Sequence, residues 1–300
     1  MQTQTTTANG ISITFEDRGP RDAPPILLVM GLGGQLTLWP EEFVDALNQR
    51  GFRTIRYDNR DVGLSTRFDA AGVPNLKWMF LKSVVGLPVR SAYTLADMAA
   101  DGIGLLDYLN IARAHIVGVS MGGMIAQHIA ARHSDHVLSL TSVMSTTGNR
   151  RLPRADREAM RVLTSRPMSG DPEEMIAFSV RAAKVIGSPG FPPDEERLRR
   201  RVRSDFERGW YPQGVARQTA AIVADGDRRP MLKDIAVPTL VIHGEADPLV
   251  PLAGGQDTAA NIPGARLRTI PGMGHDLPLA LVDTLADAIA DHARAALVAA

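Results

Sequence analysis

Residues His115 to His133 read HIVGV, then Ser120, then MGGMIAQHIAARH: a short β-branched run, a serine set among glycines, and a helical pattern rich in small residues. Few local structures accommodate all three parts. Gly118-Val119-Ser120-Met121-Gly122 is a G-x-S-x-G sequence, and between a strand and a helix it describes a nucleophile elbow, a sharp turn that holds the serine in a strained backbone conformation. So tight a turn leaves no room for side chains two positions either side of the serine, which accounts for Gly118 and Gly122. Alone the pattern is weak, and the bland alternative is a tight βα turn with an idle serine.

The surrounding chain supplies the layers that such a turn needs. Strand patterns stand at Gly10 to Glu16, Ile26 to Met30, Phe52 to Asp58, His115 to Val119, Val137 to Met144, Thr239 to His243 and Arg266 to Ile270. Helical patterns cover Pro40 to Arg50, Thr94 to Asn110 and Pro278 to Val298. The alternation predicts an α/β fold with a mainly parallel central sheet flanked by helices. From Ser145 to Arg229 strand patterns stop, and charged amphipathic stretches are separated by prolines such as Pro153, Pro167 and Pro212. One of them opens as Asp171-Pro172-Glu173-Glu174, an acidic N-cap followed by proline at the first helical position. The expected organisation is a core of residues 1–145 and 230–300 interrupted by a helical cap at 146–229, over the carboxyl ends of the strands. Thr66 to Tyr93 reads as irregular, and its apolar patch Trp78-Met79-Phe80-Leu81 is expected to add to the same roof.

A serine hydroxyl needs a base, and the base needs an orienting carboxylate. Asp247 stands in a loop just past the strand pattern ending at His243, and His275 in a glycine-rich loop past the last strand pattern. Serine, acid and histidine thus stand in that order along the chain, each just past a strand pattern. Glu245 is the nearest rival for the acid. His115 and His243 fall within strands, His128, His133 and His136 lack metal-binding spacing, and His292 lies on the last helix. An oxyanion formed at Ser120 calls for two backbone donors: the amide of Met121, and one from Met30-Gly31-Leu32-Gly33-Gly34, with Leu32 the choice. A dinucleotide reading of those glycines fails, because the third glycine of G-x-G-x-x-G would fall at Leu36.

Composition excludes several other classes. With no cysteine the chain has no thiolate nucleophile and no cysteine-based zinc site; hydrolysis through a serine needs neither metal nor organic cofactor, and none is expected. Its 33 basic and 33 acidic residues balance, which removes the footprint of a nucleic-acid binder or a polybasic membrane-surface protein. The arginine-rich run Glu195 to Arg203 has interleaved acids and reads as the solvated face of a cap helix. MQTQTTTANG at Met1 to Gly10 shows no secretory signal, and apolar runs are strand-length; a cytoplasmic protein without membrane partners is expected, and a homo-oligomer is compatible with the sequence.

Taken in order, VMGLGG, RYDNRDVGLS, GVSMGG, HGEADPLVP and IPGMGH resemble the serine α/β-hydrolase superfamily over essentially the whole chain. Met30-Gly31, where many relatives have His-Gly, together with the last two motifs is similar to aclacinomycin methylesterase and related bacterial polyketide or macrolide esterases. The resemblance implies Ser120 as nucleophile, His275 as base, Asp247 as orienter, and the Leu32 and Met121 amides as the oxyanion hole. It implies a carboxylic-ester hydrolase that forms an acyl-enzyme on a small or medium apolar ester, a polyketide or macrolide ester among the candidates, and then admits water. A lactonase, a C-C bond hydrolase or a cofactor-free perhydrolase would use the same residues, and a ligand receptor would keep the fold without turnover. The Thr66 to Tyr93 stretch is longer than in that methylesterase.

Overall fold

A computed structural model describes residues 3–165 and 171–299. Met1 and Gln2, and Pro167 among the expected helix breakers, lie outside the described residues. The strands are β1 (Gln4–Ala8), β2 (Ile11–Arg18), β3 (Pro25–Val29), β4 (Arg53–Tyr57), β5 (Ala114–Val119), β6 (Val137–Val143), β7 (Thr239–Gly244) and β8 (Arg266–Ile270). They form one sheet in the order β1-β2-β4-β3-β5-β6-β7-β8, antiparallel at β1 and β2 and parallel from β4 to β8.

Period-2 alternation divides the buried strands between two apolar layers. Leu27, Val29 and Ile116 face one way and pack with α3 (Leu95–Tyr108) and α4 (Met121–Arg132). Ile26, Leu28 and Val117 face the other way, against α1 (Glu41–Gln49) and α11 (Val282–Ala299). Thr94 and Asp97 close a reciprocal capping box at the start of α3, fixing where that helix begins.

Four features depart from the sequence reading. The N-terminal residues form β1, joined to β2 by Asn9-Gly10, both at positive φ (49° and 74°). That is the Asn-Gly hairpin turn, whose two left-handed residues fold β1 back onto β2. Thr66 to Tyr93 is not irregular throughout: it contains α2 (Leu76–Val84), whose first turn is capped by the Asn75 side chain accepting from the Trp78 amide. A third element, α10 (Ala253–Asn261), follows β7 without having been anticipated, because its small residues carry almost no helical stripe. The last helix begins at Val282 after a single 3-10 turn, rather than at Pro278.

The chain between β6 and β7 holds α5 (Arg157–Thr164), α6 (Pro172–Ile186), α7 (Glu195–Gly209), α8 (Pro212–Asp225) and α9 (Arg229–Leu232). Asp171 caps α6 as its spacing predicts. Arg197, Arg199, Arg200 and Arg203 of α7 form exposed ion pairs with Glu42, Glu173 and Glu196, while Leu198 is buried. Arg201 departs from that solvated face: burial pushes its guanidinium down from the usual range, and its Nε has no hydrogen bond among the described residues.

Candidate active site

Strand order reverses between β3 and β5, so the loops that follow these two strands leave in different directions and open a crevice at their carboxyl ends. Ser120 stands there, between β5 and α4, with φ 55° and ψ −122°. A left-handed φ in a non-glycine residue is costly and must be enforced by its surroundings. The Ser120 amide donates to the Val143 carbonyl at 2.9 Å, and its carbonyl accepts from the Gly123 amide and the Ser145 hydroxyl. Around it the packing is closed. A Cβ on Gly118 would overlap the Gly122 carbonyl, and one on Gly122 would overlap the Val29 carbonyl. Even a Cβ on Gly31, in the loop after β3, would sit 3.1 Å from the Ser120 Cβ.

Two other strand ends bring the remaining groups. Asp247 follows β7 and His275 follows β8. His275 Nε2 lies 2.9 Å from Ser120 Oγ, and His275 Nδ1 lies 2.7 Å from Asp247 Oδ2. A carboxylate can only accept, so Nδ1 carries the proton of the neutral ring and Nε2 is left to accept from the serine. Asp247 is held in turn, its Oδ1 accepting from the Leu249 and Val250 amides at 2.9 and 2.8 Å. His243 approaches the same carboxylate at 3.8 Å but donates its Nε2–H to the Val250 carbonyl; burial pushes its pKa down, so it stays neutral beneath the site. Glu245 turns away and accepts from the Thr269 hydroxyl on the exposed edge.

Both expected oxyanion donors have uncommitted amides. Gly33 N–H donates to Gln218 and Gly34 N–H to the Gly31 carbonyl, whereas the Leu32 and Met121 amides make no hydrogen bond among the described residues. His128 Nε2 bonds Asp225 and His292 Nε2 the Leu140 carbonyl, and no cluster that could hold a metal ion occurs among the described residues.

The alpha/beta hydrolase fold family model matches residues 24–279. The chain belongs to that family. It is a hydrolase, and its similarity to methylesterases extends over nearly the whole sequence. Rhodomycin D methylesterase DauP of Streptomyces sp. (strain C5) is 31% identical, the match covering 99% of this chain and 100% of that protein. Rhodomycin D methylesterase DnrP of Streptomyces peucetius is 30% identical with the same coverage. Among solved structures, the enol-lactonase from Burkholderia xenovorans LB400 superposes with a TM-score of 0.71 at 26% identity, covering 96% of this chain and 99% of the other.

Several residues that build this hydrolase's site carry no local sequence signal. The connection after α6 is laced to the His275 loop: His275 N–H donates to the Ile186 carbonyl at 2.8 Å, Gly190 N–H to the Gly272 carbonyl at 3.0 Å, and Gly274 N–H to Ser188 Oγ at 2.8 Å. Ser188 Oγ then donates to Asp276, whose carboxyl is pushed above the usual range by burial. Asp58, in the loop after β4, accepts from the Leu36 and Leu64 amides and pairs with Arg208 of α7. Arg217 of α8 makes a bidentate pair with buried Asp61. RYDNRDVGLS is thus a hub that ties the loop after β3 to α7 and α8.

Proposed function

We propose that Ser120, His275 and Asp247 hydrolyse a carboxylic ester through an acyl-enzyme. The observation that carries the reading is the continuous hydrogen-bond relay from Ser120 Oγ through His275 to Asp247, with distances of 2.9 and 2.7 Å. Ser120 Oγ attacks the ester carbonyl while His275 Nε2 takes its proton. The Leu32 and Met121 amides receive the oxyanion, and protonated His275, stabilised by Asp247, gives the proton to the leaving alcohol. Water then enters, loses a proton to His275 and releases the acid, restoring Ser120. No step requires a metal or an organic cofactor.

Residues 146–229 act in this reading as a cap. Support comes from the contacts of Ile186, Ser188 and Gly190 with the His275 loop and of Gln218 with Gly33, which tie both halves of the site to that segment. An apolar ester of small to medium size suits the setting, with Leu32 exposed beside the serine. The two rhodomycin D methylesterase relatives favour a methyl ester as substrate, and the resemblance drawn from the motifs adds a polyketide or macrolide ester. A lactone is the second reading, favoured by the likeness to an enol-lactonase over almost the full length of both chains. Ser120→Ala should lower kcat by about 10⁶ while the melting temperature is unchanged, and should abolish labelling by a fluorophosphonate. A folded Ser120→Ala protein that still turns over would sink the assignment. Polyketide methyl esters, p-nitrophenyl esters and lactones assayed side by side separate the two substrate readings.

A further inference from the structure

Helix α2 is built the wrong way round for a helix in water. Successive side chains step by about 100°, so Leu76, Met79 and Ser83 share the arc that packs toward the protein, with Met79 and Ser83 buried. The opposite arc carries Lys77, Trp78, Phe80, Leu81, Val84 and, at the C-cap, Val85. Trp78 is 53% exposed, Leu81 53%, Val84 75% and Val85 60%, so this is a contiguous apolar face rather than scattered surface residues. Leu87, 54% exposed, continues it.

Within the segment that carries this face the charges are all of one sign. From Ala70 to Ala96 there is no aspartate or glutamate, while Lys77, Lys82 and Arg90 stand among the apolar residues, and Lys77 and Lys82 are two of the four lysines in the chain. None of the three has an ion pair among the described residues; Lys82 instead lies over the Trp78 ring, 5.5 Å from its centroid. This contrasts with α7, where the exposed arginines are matched with acids. A cleft of about 440 Å³ opens at the foot of the face, lined by Asn75, Trp78, Lys82, Arg90 and Ser91, with no carboxylate in its lining.

An isologous contact with a second copy would set Lys77, Lys82 and Arg90 against themselves, with no acid in the patch to compensate. An anionic bilayer surface meets both properties at once, accepting the apolar side chains at the headgroup boundary and the cations at its phosphates. We propose that the outward face of α2, with Lys77, Lys82 and Arg90, docks this protein on anionic phospholipid membranes, an anionic headgroup entering the cleft beside Lys82 and Arg90. No described helix is long and apolar enough to cross a bilayer, so the attachment is to the surface. Zero net charge over the whole chain conceals this local asymmetry.

Sedimentation with phosphatidylcholine vesicles, with and without phosphatidylglycerol, tests the proposal. The protein should pellet with the anionic vesicles only, less so as salt is raised, with a blue shift in tryptophan emission that Trp78→Ala removes. The combined Lys77→Gln, Lys82→Gln and Arg90→Gln variant should bind about a hundred-fold more weakly, at about five-fold for each charge, and keep its ester hydrolysis as evidence of an intact fold. Absence of binding to anionic vesicles, equal binding to both vesicle types, or a dimer that Lys77→Gln dissociates would each overturn it.

Discussion

The two sides of the candidate site are held by different physics. Ser120 is fixed by exclusion: glycines at 118 and 122 let the β3 and β5 backbones close around it, and the serine occupies the one strained conformation left. His275 is fixed by attachment, its loop fastened to Ile186, Ser188 and Gly190 by hydrogen bonds from a helical segment distant in the chain. Steric confinement is local and rigid because interiors are close-packed. A hydrogen-bonded clamp can open when the segment that carries it moves. The nucleophile side is therefore part of the core, and the base side depends on the segment that carries Ile186, Ser188 and Gly190.

The sharpest way to break this contrast is at the relay. Asp247→Asn should lower kcat by about 10⁴, because the amide favours the wrong His275 tautomer, while circular dichroism and melting temperature stay close to those of the parent. An equally large loss of stability would mean that the base side is also held by packing. On the nucleophile side, Gly122→Ala should cost about 4 kcal/mol or more, since its methyl would overlap the Val29 carbonyl; urea unfolding measures it. A fully folded alanine variant would contradict confinement by exclusion.

Acid titration probes the strand beneath the elbow. Burial pushes His115 of β5 down to about 4, so the folded state holds it neutral while the unfolded chain protonates it near its ordinary value. Its contribution is complete above about pH 6.5 and is lost as pH falls toward 4, by roughly 3 kcal/mol. His115→Asn should flatten the decline in unfolding free energy over that window, and an unchanged slope would remove His115 from the account. The smallest expected effect lies on the clamp. Ser188→Ala leaves the Gly274 amide and Asp276 without their shared hydroxyl and should reduce kcat about ten-fold with little change in KM. Ser188→Thr should recover part of the loss, and the acid limb of the pH–rate profile should move with the alanine variant alone if the clamp positions His275.

Particular residues show what the sequence makes legible. The elbow was legible because glycine, serine and the flanking periodicities are all consequences of one tight turn. Asp247 and His275 were legible because each follows a strand pattern within a few residues, and strands of one parallel sheet end on the same side. The Asn9-Gly10 hairpin is an equally legible signal. Helix α2 leaves no helical stripe to read, since Met79 and Ser83 face inward while Trp78, Phe80 and Leu81 face out, the reverse of the pattern that marks an amphipathic helix.

Other features had no local trace. Nothing near Ser188 announces that its hydroxyl joins Gly274 to Asp276, and nothing near Arg217, Arg208 or Gln218 announces Asp61, Asp58 or the Gly33 amide. From its sequence alone the chain determined the α/β layering, the strained serine turn and the order of the acid and the histidine, because backbone sterics and periodicity act between near neighbours. The tertiary structure decided the distance from His275 to Ser120, the clamp on the His275 loop and the outward apolar face of α2. These depend on which distant segments pack together, and a hydrogen bond or an exposed face has no counterpart in the residues adjacent to it.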